Sequence, residues 1–230
     1  MTLGLIQARM GSTRLPGKNM ADLAGKPMLQ HIIERVQRAK SLDMAAVTIP
    51  LKDHDVMLPV LEKTGARRHY RRKPEDENDL VKAFCEAAKG FKADVVVRIC
   101  ADNPCIEPGE IDRLVEWDSE RSNFSGDTLV QNAVPRRNGY PDGIGAEIYH
   151  LEMLERLNKD TSPHVREHPH AYFSRLVGPK CPFNCPEELR LDVNTAEDLE
   201  FIRGIYRHFA PRNDFHVTEV VRYLDGKTAD

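Results

Sequence analysis

Residues 93–100, ADVVVRIC, set three valines in succession. Successive side chains of a strand point to opposite faces of its sheet, so such a run is buried only where both faces are covered. That demands helices on either side, and the rest of the chain supplies them. An apolar run at residues 3–8 leads through a loop rich in Gly and Pro to MLQHIIERVQRA, opened by Pro27, in which Met28, Ile32, Ile33 and Val36 recur at helical spacing. Residues 45–49 read as the next strand. HDVMLPVLEKTG reads as a short helix interrupted at Pro59 and closed at Gly65. The polar turn PEDEND then feeds the helix LVKAFCEAAKG, which leads into ADVVVRIC. Strands alternating with helices give an α/β fold with a mostly parallel sheet flanked by helices.

At 230 residues the chain suffices for one sizeable core. Between residues 123 and 175 the alternation fails. Polar turns (SNFSGD, PRRNGYPDG) and a histidine-bearing helix, HVREHPHAYF, stand there instead. We expect one domain over residues 1–230, carrying residues 123–175 as an inserted segment for substrate or for dimer contacts. The pattern resumes with a strand, ELRLDV, a helix, TAEDLEFIRGIYRHF, and a last helix, HVTEVVRYL. Thr195 and Asp198 form an N-cap with an acidic first turn.

A net charge of −3 gives no global electrostatic case for nucleic acid or an anionic membrane, so any anion site must be local. The absence of an apolar stretch near the roughly 20 residues needed to span a bilayer leads us to expect a cytoplasmic chain. The five cysteines form an odd set, for which reduced thiols are the default. Cys181 and Cys185 are spaced C-x3-C, as in some zinc sites, but no second close pair completes four ligands. Of His164, His168 and His170, only the first two share a helical face. RRHYRRK, residues 67–73, has much of its field cancelled by the PEDEND that follows and reads as a solvated edge strand, with nucleotide contact as the lesser alternative.

In open α/β sheets ligands gather beyond the carboxyl ends of the strands. Two loops there carry unusual chemistry, residues 9–18 and residues 101–107, and they should lie side by side. The first, RMGSTRLPGK, is not a P-loop: five residues separate Gly11 from Gly17, one too many, and Asn19 follows Lys18 where a hydroxyl is required. It is not a G-x-G-x-x-G turn either. What remains is backbone amides at Gly11 and Ser12 together with Arg9, Arg14 and Lys18, a set able to hold a group of several negative charges. Asp102, directly after the apolar strand, adds a carboxylate of the kind that binds magnesium together with substrate phosphates.

QARMGSTRLPGK resembles the opening motif of the cytidylyltransferases of the spore-coat polysaccharide type and of their relatives that activate 3-deoxy-manno-octulosonate and acylneuraminate. ADVVVRICADNPCIEPGEID, YPDGIGAEIY, REHPHAYF and RLDVNTAEDLEFIRGIY follow in the order of the family's later motifs. The resemblance implies a Rossmann-like nucleotide-diphospho-sugar transferase (GT-A-like) fold. It also implies transfer of CMP from CTP to a sugar or sugar acid with release of pyrophosphate, dependence on Mg2+, and a homodimer. By position, Arg9, Gly11, Ser12, Arg14 and Lys18 embrace the triphosphate, Leu5, Gln7 and Ala8 present backbone to the base, and Asp102 holds the metal. Arg9, Lys18 and Asp102 are the implied catalytic set. Asp142, Glu147 and His168 fall to the acceptor.

The closing motif departs from the family's V-D-T-P-E-D, placing Asn194 where the second metal-binding aspartate stands. Asp192, two residues earlier on the same face, is the remaining carboxylate candidate. Ala101 and Gly145 are two further departures. Losing a charged ligand leaves open a second function: an impaired nucleotide-binding homologue with a regulatory or assembly role.

Overall fold

The computed structural model describes residues 1–121, 128–132, 139–186 and 188–228. The chain runs β1 (Thr2–Gln7), a two-stranded hairpin of β2 (Asp22–Leu23) and β3 (Lys26–Pro27), α1 (Met28–Val36), β4 (Met44–Pro50), α2 (His54–Thr64), β5 (Arg67–Arg71), α3 (Leu80–Phe91), β6 (Val95–Cys100), α4 (Pro108–Ser119), β7 (Thr128–Gln131), β8 (Glu147–His150), α5 (Leu151–Leu157), α6 (Pro163–Glu167), β9 (Arg175–Val177), α7 (Ala196–Phe209) and α8 (Val217–Thr228). One seven-stranded sheet holds them in the order β5-β4-β1-β6-β8-β7-β9. Only β8 runs against its neighbours, so the fold is the expected mostly parallel, Rossmann-like α/β sheet.

Alternation along the strands splits the core in two. Ile6, Val47, Val97 and Ile99 face α1, α2, α4, α7 and α8, while Leu3, Leu5, Ala46 and Val96 face α3 and α5. Valines of β6 are thus buried on both faces, as their run demands. Helix α1 is anchored by more than its apolar stripe. Arg35, on the same helix and 1% exposed, donates to the carbonyls of Ile106 (2.7 Å), Asn213 (2.8 Å) and Phe215 (3.0 Å). Thr195 and Asp198 close a capping box on α7, as read.

Four elements differ from expectation. Pro59 does not interrupt α2, because the carbonyl deprived of its donor, that of Asp55, stands on the exposed side of the helix. HVREHPHAYF breaks after Glu167: His168 precedes a proline and takes φ −125° and ψ 76°, outside the helical region. ELRLDV forms no strand of the sheet among the described residues. Its amides bond to loops instead, Leu191 N–H to the Asp142 carbonyl and Val193 N–H to the Asp102 carbonyl, both at 2.8 Å. Gly143 allows this approach at φ +95°, since a Cβ there would lie 2.4 Å from the Asp192 nitrogen. Finally, the segment 123–175 is built into the sheet through β7 and β8; its turns at 122–127 and 133–138 lie outside the described residues.

Strand β5 is the expected sheet edge, but its side chains are not all solvated. Burial, with Arg71 and Arg72 nearby, pushes His69 down to about 4. Glu86 stands 3.7 Å away but is half exposed, too screened to reverse this. Below pH 6.5 the unfolded chain takes up a proton that folded His69 refuses, so stability falls as pH drops from 6.5 towards 4. His31 and His170, also lowered, act in the same sense. In urea titrations, His69→Gln is expected to lessen the loss of stability between pH 7 and pH 5 by about 2 kcal/mol. An unchanged loss would show that His69 protonates freely in the folded chain.

Candidate active site

The two loops meet as expected, because β1 and β6 are parallel neighbours and Gln7 lies opposite Cys100. Between them a cleft of about 250 Å³ opens at the carboxyl ends of the strands. Five cationic side chains line it, Arg9, Arg14, Lys18, Arg71 and Arg98, against three carboxylates, Glu77, Asp102 and Glu167. The local charge therefore opposes that of the whole chain, as an anion site requires.

The first loop owes its shape to hydrogen bonds on its own backbone. Ser12 and Gly17 both donate their amides to the Met10 carbonyl at 3.0 Å, and Gly17 sits at φ +75°. Buried Asn19 donates to the Arg9 carbonyl at 2.8 Å, and Asp53 receives the Met10 amide at 2.8 Å. The Ser12 amide is thus engaged within the loop rather than open to a ligand. Its side chain still lines the cleft, with its oxygen also accepting from Leu15 at 3.3 Å.

Lys18 ties three distant parts of the chain together. Its ammonium donates to the Val193 carbonyl at 2.6 Å and to Asp102 at 3.3 Å. Beside it Arg14 donates to the Asn194 amide oxygen at 2.6 Å, and the Asn194 amide nitrogen donates to Asp192. Asp192 is also paired with Arg190 at 2.9 Å. Asp102, Asn194 and Asp192 therefore come together at one end of the cleft, although only Asp102 and Asn194 line it. Arg9 reaches across to Asn78 and lies 4.0 Å from Glu167.

The remaining sequence candidates divide. Gln7 and His168 line the cleft, whereas Leu5, Ala8, Gly11, Asp142 and Glu147 are absent from its described wall. Leu5 is fully buried in the sheet, and Ala8 gives its amide to Thr48 and its carbonyl to Arg71. Asp142 stands by Arg190. Glu147 is buried behind Arg98, which donates to it at 2.7 Å, and Tyr149 donates to it at 2.6 Å. Burial alone would raise the Glu147 carboxyl, but Arg98 and His170 outweigh it and hold the group below its ordinary range.

Of two further cations in the wall, sequence reasoning gave Arg71 only a lesser alternative as a nucleotide contact and passed over Arg98. Arg71 is buried, donates to Ala8 and Thr48, and is pushed down to about 10 by burial and by Arg9. Arg98 stands in the very run of valines that fixes the fold. A lone cation on a strand covered on both faces was the available signal. Burial pushes the neighbouring Cys100 thiol up to about 12, so it lines the cleft uncharged.

Residues 3–203 match the family profile of the cytidylyltransferases. The spore coat polysaccharide biosynthesis protein SpsF of Bacillus subtilis is 26% identical over 97% of this chain and 93% of its own. A 3-deoxy-manno-octulosonate cytidylyltransferase of Trichlorobacter lovleyi is 36% identical over 50% of this chain and 43% of its own. A solved cytidylyltransferase structure from Leptospira borgpetersenii superposes with a TM-score of 0.84 at 26% identity, over 99% of this chain and 95% of that one.

Proposed function

The chain belongs to the cytidylyltransferase family, and from that premise we propose that it transfers CMP from CTP to a sugar or sugar acid for a surface polysaccharide, releasing pyrophosphate. The observation that carries this reading is Lys18, held between Asp102 and the Val193 carbonyl at the rim of a cleft rich in cations. The Bacillus and Trichlorobacter relatives, by name a polysaccharide biosynthesis protein and a sugar-acid cytidylyltransferase, support the acceptor class.

In this reading Arg9, Arg14 and Lys18 grip the triphosphate, with Ser12 donating from the loop. An acceptor oxygen attacks the α-phosphorus in line, and the bond to the oxygen bridging the α- and β-phosphorus atoms breaks. The departing pyrophosphate takes the electron pair and is steadied by the same cations. No nucleophile from the protein is needed. In binding phosphate oxygens, Arg14 and Lys18 exchange their contacts with Asn194 and the Val193 carbonyl.

Magnesium belongs to the proposal and is judged by the donors present. Asp102 offers a carboxylate, Asn194 a neutral amide oxygen, and Asp192 is paired with Arg190. Among the described residues no group of three or more His, Cys, Asp or Glu gathers as a metal cage. The donors fit magnesium held mainly by substrate phosphates with Asp102 beneath, the usual manner of that ion. When bound, it would neutralise charge on the phosphates. A homodimer is part of the same reading. No helix among the described residues is long and apolar enough to cross a membrane.

The test is pyrophosphate release from each of the four nucleoside triphosphates with magnesium, across sugars, sugar phosphates and sugar acids. CTP with at least one of these acceptors is expected to give release. Tight CTP binding without release from any acceptor would favour the second reading, a nucleotide-binding homologue with a regulatory or assembly role. The engagement of Asn194 by both Arg14 and Asp192 is the observation on its side.

A further inference from the structure

The loop after β9 carries a pair that the cleft leaves unused, Cys181 and Cys185 of CPFNC. All five cysteines are free, but these two differ from the rest in access. Cys85 and Cys105 are 3% and 2% exposed, and Cys100 belongs to the cleft wall. Cys181 and Cys185 are half-buried, on a loop whose alternate residues Pro182, Asn184 and Pro186 are exposed. Residues four apart in an extended chain stand about 13 Å from one another, so the spacing alone does not bring two sulfurs together. Here the loop bends at Pro182 and Phe183. The Cys181 thiol donates to the Phe183 carbonyl at 3.5 Å, the Phe183 ring packs edge-on against His216 at 4.7 Å, and the Cys185 thiol hydrogen-bonds the Cys181 sulfur. Among the described residues no third His, Cys, Asp or Glu joins the pair in a group fit to hold a metal, which leaves the chemistry of the sulfurs themselves.

The bend is tied on both sides. Before it, Arg113 and Tyr140 donate to the Lys180 carbonyl, Tyr140 at 3.4 Å. After it, Arg190 pairs with Asp192 at 2.9 Å, and Leu191 and Val193 give their amides to the Asp142 and Asp102 carbonyls. The cysteines thus stand on the approach to the segment that brings Val193 and Asn194 to the cleft. Burial, with Cys181 beside it, pushes the Cys185 thiol up to about 11. Burial raises Cys181 as well, but there the shared hydrogen bond and the Phe183 carbonyl work the other way, so Cys181 is the first to yield its proton.

We propose that Cys181 and Cys185 form a redox site, closing into a disulfide by exchange with a small-molecule disulfide such as that of glutathione and so holding residues 190–194 more firmly in place. The Cys181 thiolate attacks one sulfur of the oxidant and expels a glutathione thiolate, which keeps the electron pair and takes up a proton. Cys185 gives its proton to solvent and attacks the Cys181 sulfur of the mixed disulfide, expelling the second glutathione. Two protein thiols are oxidised and one glutathione disulfide is reduced to two thiols, with no further oxidant required. In a reducing compartment such a bond is a switch, made and unmade with the thiol pool. Closing the ring removes conformations from the opened loop, so local opening of the segment becomes rarer.

The experiment treats the full native chain with glutathione disulfide near pH 8, quenches with iodoacetamide and digests with trypsin without reductant. Cleavage after Lys180 and Arg190 releases residues 181–190, with both sulfurs on one peptide. That peptide should be unalkylated and two hydrogens lighter than the dithiol, while Cys85 and Cys105 remain free of glutathione. Amide hydrogen exchange at Leu191 and Val193 should slow about tenfold on oxidation and recover in excess reduced glutathione. Cys185→Ser should instead retain glutathione on Cys181, with exchange at those two amides indifferent to the oxidant. Glutathione retained on Cys181 of the native chain, or an alkylated dithiol, would overturn the proposal. So would a ring that closes only once Cys85 and Cys105 also react, or exchange at Leu191 and Val193 that ignores the disulfide.

Discussion

Lys18→Ala is expected to lower kcat/KM for CMP transfer by about 10²- to 10³-fold, with the fold retained. The side chain is only 11% exposed, and its ammonium faces two acceptors that belong to segments more than 80 residues away. Removing it withdraws a cation from the expected path of the triphosphate and leaves Asp102 without its neighbour. The variant should therefore lose CTP affinity as well as turnover. Arg14, which is exposed, should matter less, because solvent screens it. Steady-state kinetics with calorimetry of CTP binding decide the matter: an alanine variant within tenfold of the native rate would place the triphosphate elsewhere in the cleft.

The second large effect is on stability and lies away from the cleft. Arg35→Leu is expected to cost about 3–5 kcal/mol in urea unfolding. Its guanidinium satisfies three carbonyls, stacks over Phe215 at 4.8 Å and lies 3.7 Å from buried Glu107. Leucine fills part of the space but takes the Arg35 donors from those carbonyls, leaving Asn213 only that of Arg38, and leaves Glu107 with the Val217 amide and His216 in place of a buried guanidinium. Burial already pushes the Glu107 carboxyl up against the pull of Arg35, and the variant should drive it further towards the neutral acid. Arg35→Lys should recover only part of the loss, since an ammonium cannot reproduce the planar fork. A loss below about 1 kcal/mol for Arg35→Leu would mean that solvent reaches these carbonyls.

Much of this architecture is legible in the sequence. The valine run requires a covered sheet, and helical spacing around Met28, Ile32 and Ile33 places the first cover. Loop 9–18 announces its charge, and adjacency of the first and sixth strands brings Asp102 to it. What escapes is burial of polar groups. Arg35 is one arginine among many until Asn213 and Phe215, 178 and 180 residues away, supply carbonyls that accept it. Arg98 is hidden by the apolar run around it. The backbone groups of Leu5 and Ala8 are engaged by the sheet and by Arg71, which no local pattern shows. ELRLDV has the alternation of a strand, but partners for its amides lie in loops, and pairing is a tertiary fact.

Residues 190–194, laced to loops rather than to a strand, bear on the order in which the molecule acquires its chemistry. Arg14 stands on the loop that follows β1, yet its partner Asn194 lies 180 residues further along the chain. A growing chain can satisfy Lys18 with Asp102 and Arg9 with Asn78, but one end of the cleft stays unfinished until residues 193 and 194 are made. That end closes only when residues 190–194 dock on the loops after β1 and β6.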